Sequence, residues 1–177
     1  MSDSQVIITA PSGFGRLSRR LCNGLGFLVC ASGLGYAYYA QFYLSLDPCP
    51  LCIFQRLALL AVGLVFLAAT LHHPRAWGAK VYGVLIGLVA AIGLGIAARH
   101  VWLQHLPPAE VPRCGPSLEY MLQSFPLNET IRAVLTGSGE CAEVNWTLLG
   151  LSVPEWNLPL FLSLGVIGVL SNWRLRD

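Results

Sequence analysis

The sequence predicts an all-α membrane protein, a bundle of four transmembrane helices with two outer loops, the second of them long and disulfide-bearing. Three observations predict it. The chain of 177 residues is 55% hydrophobic and only 11% charged, whereas a soluble domain usually carries about 25% charged residues. Its apolar residues gather into four runs, each close to the roughly 20 residues needed to cross a bilayer. Its Lys and Arg residues alternate with those runs as the positive-inside rule requires.

The expected spans are residues 24–46, 51–71, 81–98 and 156–173, within a single integral membrane domain covering 1–177. The first has a basic lead in Arg16, Arg19 and Arg20. Its apolar run exceeds the 7–15 residues or so of a signal-peptide core, so it reads as a retained helix. The second follows a short turn, residues 46–50. The third carries Gly83 and Gly87, a small-residue spacing that permits close helix contact but is also ordinary membrane-helix composition. The fourth is the shortest. Its apolar centre starts only after Pro159, but Trp156 and Trp173 suit the two interfaces.

Arg75 and Lys80 lie between the second and third spans, and Arg174 and Arg176 follow the fourth. Counted with the basic lead, they put both termini and the 71–80 turn in the cytoplasm. The two outer loops are then residues 46–50 and 99–155. A net charge of +2 with no basic, aromatic-interleaved cluster argues against a nucleic-acid partner.

Four of the six cysteines fall on the outer side by this count: Cys49 and Cys52 in a C-x-x-C, and the widely separated Cys114 and Cys141. An oxidising exterior allows all four to form disulfides. Cys22 and Cys30 read as packing residues of the first span. Structural zinc sites usually draw on two close ligand pairs, and adding His100 or His105 produces no recognised zinc spacing, so no metal is expected. Two purely stapling disulfides would account well for a bridge closing the long loop. They account poorly for Cys49–Cys52, because so short a loop removes little chain entropy. A tight C-x-x-C more often exchanges electrons.

Cys52 is expected in the first helical turn of the second span, where free backbone N–H groups favour a thiolate. Arg56 lies one turn further along the same face. It either supports an anion there or snorkels to the interface. In the long loop, Leu118, Met121, Leu122 and Phe125 follow helical spacing. They suit a helix lying on the membrane surface or one docked on the bundle.

Pro48-Cys49-Pro50-Leu51-Cys52 with Arg56, the stretch His100-Val101-Trp102-Leu103-Gln104, Cys114, and Gly137-Ser138-Gly139-Glu140-Cys141 followed by Trp146-Thr147-Leu148-Leu149-Gly150-Leu151 together resemble the DsbB family. These are bacterial inner-membrane proteins that reoxidise DsbA. The resemblance covers nearly the whole chain after Arg19. It implies a quinone-dependent thiol oxidase with catalytic cysteines Cys49, Cys52, Cys114 and Cys141, paired as Cys49–Cys52 and Cys114–Cys141. It implies a periplasmic DsbA-like partner and a membrane-borne quinone, ubiquinone-type or alternatively menaquinone. Cys52, Arg56 and His100 would form the quinone site, although His100 also reads as a simple interfacial histidine. Gln55 stands where relatives carry an acid.

Other readings weighed against this one are a vitamin K epoxide reductase-like enzyme, a disulfide-stapled scaffold and a haem protein. The first commonly carries its C-x-x-C in the last span. The last would need histidines facing one another in mid-membrane, but His72, His73, His100 and His105 sit near span ends.

Overall fold

The computed structural model describes residues 18–174 except 75, 108, 113, 114, 116, 117 and 145. Cys114 and the flanking charges Arg16, Arg75 and Arg176 therefore lie outside the described residues. Among those described, four helices are long and apolar enough to cross a membrane: α1 (Arg19–Tyr43), α2 (Pro50–His72), α3 (Trp77–Gln104) and α7 (Val153–Arg174). At 1.5 Å per residue even α7 reaches about 33 Å, enough for a hydrocarbon core of about 30 Å. Between α3 and α7 lie α4 (Leu118–Ser124), α5 (Leu127–Thr136), α6 (Gly139–Ala142) and a small hairpin, β1 (Thr147–Leu148) with β2 (Leu151–Ser152).

The helix ends follow from local chemistry. Ser18 caps α1 by accepting the Leu21 N–H, so the helix takes in Arg19 and Arg20, ahead of the expected apolar run. It stops at Tyr43, before Leu46, and Ser45 adopts a positive φ of 52°. Cys49 caps α2 and Pro50 follows in the first turn, where the missing proline N–H costs nothing. At the far end His73 takes a left-handed conformation.

The largest difference from expectation is in α3. It continues past Ala98 to Gln104, so Arg99 and His100 stand on a helix rather than in a loop. Arg99 does not end the helix because its guanidinium donates to the Leu135 and Thr136 carbonyls and lies 4.1 Å from the Trp102 ring centroid. These are the last carbonyls of α5, which have no N–H donors within their own helix.

Helix α7 begins earlier than the apolar run suggests. Glu155 accepts the Ser152 N–H at 2.6 Å, the reciprocal half of a capping box. The Ser152 hydroxyl is diverted to Gln104, 2.8 Å away on α3. The hairpin turn places both Leu149 (φ 54°) and Gly150 (φ 83°) in the left-handed region, the geometry that favours glycine in two-residue hairpins.

Helices α1 and α2, α2 and α3, and α3 and α7 pack as neighbours, and α1 closes the bundle against α7. Phe66, Ile86, Ala90, Phe161 and Leu164 form its centre. Outward-facing Leu28, Leu64, Leu88, Ile92, Leu162 and Ile167 stay exposed, as suits helices whose solvent is lipid. Asn23 and Asn172 exchange amide hydrogen bonds of 3.2 and 2.9 Å between α1 and α7, so neither buried amide is left unpaired.

Small residues set the closest helix approach. A Cβ on Gly87 would press on Val169, and one on Gly168 would overlap Ile86 Cγ2. Gly168→Ala is therefore expected to cost about 1–3 kcal/mol, the range for overpacking a filled core. Gly95→Ala enters open space and should leave the thermal unfolding midpoint in detergent unchanged. Equal midpoints for the two variants would contradict this packing.

A second cluster caps the bundle: Leu51, Leu103, Met121, Val134 and Cys141. Met121 of α4 is buried there, while Leu122 and Phe125 remain exposed. The short amphipathic stretch is thus docked through one face and leaves an apolar face outward. Cys141 of α6 joins the same cluster as Leu51 at the amino end of α2.

Candidate active site

Three of the four expected cysteines converge at the amino end of α2. The Cys49 and Cys52 sulfurs are 3.3 Å apart, as the i, i+3 spacing on one helical turn dictates. Both are free thiols in this structure, as a dithiol pair. Cys141 is a free thiol as well. Its expected partner, Cys114, lies outside the described residues.

The helix terminus acts on a different sulfur from the one the sequence suggests. The Cys52 N–H is directed at the Cys49 sulfur at 3.4 Å, because Cys49 occupies the cap position. One of the N–H groups left over at the start of α2 is thus spent on Cys49. Cys141 reaches the same sulfur from the loop side. Its thiol is raised above the ordinary thiol range, first by its hydrogen bond to Cys49 and then by burial; backbone N–H groups of Ser138 and Leu51 offset this only partly. Cys141 therefore stays protonated against Cys49 in the dithiol form.

His100 binds these parts together. It is 2% exposed. Its Nε2 lies 3.1 Å from the Cys141 carbonyl oxygen and 3.7 Å from the Cys49 sulfur. Its Nδ1 lies 3.0 Å from the Gln55 amide nitrogen, and Asn157 of α7 donates to the Gln55 side-chain carbonyl. This sequence of donors leaves Nδ1 as acceptor and puts the imidazole proton on Nε2. The chain Asn157–Gln55–His100–Cys141 thus links α7, α2, α3 and α6 through three side chains and the Cys141 carbonyl.

Sequence reasoning named His100 and noted Gln55 but missed Asn157. Its only signal was a polar residue near the start of an apolar run, and the signal becomes legible once α7 packs beside α2. Gln55→Leu should leave the buried His100 Nδ1 and the half-buried Asn157 amide without their partner. Its expected cost is about 1–3 kcal/mol for the buried imidazole nitrogen, together with a changed tautomer ratio in the imidazole nitrogen NMR signals. A variant with unchanged midpoint and unchanged signals would remove the network from the account.

Arg56 is one turn below Cys52. Its guanidinium donates to the Gln41 side-chain carbonyl and, at 3.1 Å, to the Ala37 carbonyl of α1, and it lies 5.5 Å from the Tyr38 ring centroid. It is thus held in place between α1 and α2 rather than extended to the interface.

Cys49, Cys52, Gln55, Arg56, His100 and Asn157 all border one cavity of about 670 Å³, walled otherwise by largely apolar groups of α1, α7 and the loop, including Tyr36, Leu59 and Trp156. A mostly apolar pocket with a few convergent polar groups suits a ring-shaped, lipid-soluble ligand that must be oriented. A quinone ring fits this lining: polar groups of Arg56 and His100 and the thiols border the same largely apolar space.

The chain matches the family model described as disulfide bond formation protein DsbB over residues 19–171. It is 55% identical over 157 residues to disulfide bond formation protein B of Methylococcus capsulatus, covering 89% of this chain and 96% of that one. The corresponding protein of Nitrosococcus oceani is 56% identical over 160 residues, covering 90% and 93%. That of Acinetobacter baumannii is 49% identical over 161 residues, covering 90% and 92%. With its four spanning helices and its cavity beside a C-x-x-C, the chain belongs to the DsbB family, the multi-pass inner-membrane enzymes that reoxidise DsbA and pass the electrons to a quinone.

Proposed function

We propose that Cys114, Cys141, Cys49 and Cys52 carry the electrons in that order, from a periplasmic DsbA-like dithiol to a ubiquinone-type quinone. The observation that carries this reading is that Cys49 and Cys52 border a single cavity with Arg56 and His100 while the buried Cys141 thiol meets Cys49. In this reading the whole chain works as one membrane unit, with both termini cytoplasmic and the redox loops periplasmic. The Lys and Arg distribution supports that orientation.

The exchange steps balance as follows. A thiolate of the partner attacks the Cys114–Cys141 disulfide at Cys114, giving a mixed disulfide and releasing the Cys141 thiol. The partner's second thiol then displaces Cys114 and leaves the partner oxidised. Cys141 attacks the Cys49–Cys52 disulfide at Cys49, forming a Cys49–Cys141 bond and releasing Cys52. Cys114 attacks Cys141, restoring its own disulfide and leaving Cys49 and Cys52 as the dithiol. The geometry described above shares the Cys49 and Cys52 thiols with that state, and in it Cys141 is a thiol too. Each step needs an attacking thiolate and an accessible sulfur.

A quinone supplies the two-electron, two-proton sink that lets the Cys49–Cys52 bond re-form. The chain's own residues orient it, exclude water and hold the protons: Arg56 through its fixed guanidinium, His100 through the Nε2 proton, and the apolar wall through its shape.

The test uses the purified chain in detergent with a reduced DsbA-like protein and a short-chain ubiquinone analogue. One quinone should be reduced for each disulfide made in the partner. Disulfide formation without matching quinone loss would overturn the proposal.

A further inference from the structure

We infer that the dithiol form of the site binds one soft divalent cation of the zinc class on Cys49, Cys52 and His100. The three ligand atoms lie within 4.8 Å of one another. The Cys49 sulfur is 3.3 Å from the Cys52 sulfur and 3.7 Å from His100 Nε2. A tetrahedral ion with metal–sulfur bonds of about 2.3 Å and metal–nitrogen bonds of about 2.0 Å sets its ligands roughly 3.5–3.8 Å apart. The two Cys49 distances therefore need only sub-ångström adjustment, and the Cys52–His100 pair, within 4.8 Å, closes onto the ion by side-chain rotation.

The surroundings of the imidazole fit the same chemistry. A metal-bound histidine usually donates its other ring N–H to a carbonyl or carboxylate, which fixes the ring. Gln55 already holds His100 Nδ1 at 3.0 Å, and Asn157 holds Gln55. Turning both side-chain amides over exchanges their donors and acceptors without moving any helix. With the imidazole proton moved to Nδ1, Nδ1–H donates to the Gln55 carbonyl, and Nε2 gives up its hydrogen bond to the Cys141 carbonyl and offers its lone pair.

The charge balance also fits. Each thiol gives a proton to solvent, and two thiolates neutralise a divalent ion, so no net charge is placed beside the apolar wall. The fourth position opens to the cavity and takes water. No electron is transferred.

This differs from the resident structural zinc that the sequence spacing argued against, because His100 is supplied by another helix and the site exists only when the pair is reduced. A disulfide offers no thiolates, so the oxidised form has no such site. The cation would hold both sulfurs and withhold them from disulfide formation. The inference depends only on Cys49 and Cys52 becoming a dithiol and not on the order of the exchange steps.

The test titrates the full chain, purified in detergent, reduced and freed of reductant without oxygen, with Co²⁺ as a spectroscopic probe. The reduced chain should take up one ion with thiolate-to-cobalt charge-transfer bands and the strong visible absorption of a four-coordinate ion, both erased by added Zn²⁺. The oxidised chain should show neither. His100→Gln should weaken uptake about ten-fold or more, and a Cys114→Ser/Cys141→Ser chain should keep it. X-ray absorption of the zinc-loaded, unsubstituted chain, which needs no variant to fold, should show two sulfurs with imidazole nitrogen. Absence of charge-transfer bands, loss of uptake in the Cys114→Ser/Cys141→Ser chain, unchanged affinity in His100→Gln, or a zinc shell without sulfur would each overturn the inference.

Discussion

Cys52→Ser is expected to abolish quinone-linked turnover while leaving the first exchange with the partner intact. In the proposed order of exchange, Cys52 is released when Cys141 attacks Cys49 and must re-form the bond with Cys49 for each cycle to close. Serine keeps the size of the side chain but supplies no redox sulfur. Loss of a covalent catalytic group should cost at least about a thousand-fold in turnover. The Cys114–Cys141 disulfide remains available, so the variant should still oxidise one equivalent of a reduced DsbA-like protein per chain and then stop. That single equivalent separates a broken relay from a misfolded protein. A Cys52→Ser chain that turns over at full rate would remove Cys52 from the relay.

Arg56→Leu should act mainly on the quinone. The guanidinium is held by Gln41 and Ala37 of α1 beside the cavity, a position fixed before any ligand arrives. Hydrogen bonds to charged groups contribute about 1.5–3 kcal/mol, which corresponds to roughly a ten- to hundred-fold rise in the quinone KM. The rate of partner oxidation in a single turnover should change little. Arg56→Lys should recover the charge but not the forked geometry that spans α1 and the cavity, and so restore only part of the affinity. If Arg56 served only as an interfacial anchor, lysine would restore the KM completely.

The sequence was most legible where one physical rule decides the outcome. Hydrophobic length located the four spanning helices, and the C-x-x-C with Arg56 one turn further on marked the amino end of α2. Helix ends were less legible because partners distant in sequence decide them. Helix α3 reaches Gln104 since Arg99 finds carbonyls at the end of α5, and α7 starts at Val153 since Glu155 folds back on Ser152.

The same holds within the site. Spacing alone assigned the helix terminus to Cys52, whereas the cap geometry gives its N–H to Cys49. His100 was ambiguous on the sequence because its neighbours in the chain say nothing of Gln55, Asn157 and the Cys141 carbonyl. The hairpin at Thr147–Ser152 has only Gly150 as a local cue, and its other turn residue, Leu149, accepts a positive φ that sequence preference would not assign to leucine.

The most direct test of the relay is thiol labelling of all six cysteines in the fully reduced chain, before and after a quinone is added without any partner. Cys49, Cys52, Cys114 and Cys141 should become protected as two disulfides, while Cys22 and Cys30 keep the labelling they had before. If those four cysteines all remain labelled after quinone addition, electrons do not pass from the thiols to the quinone, and the central account fails.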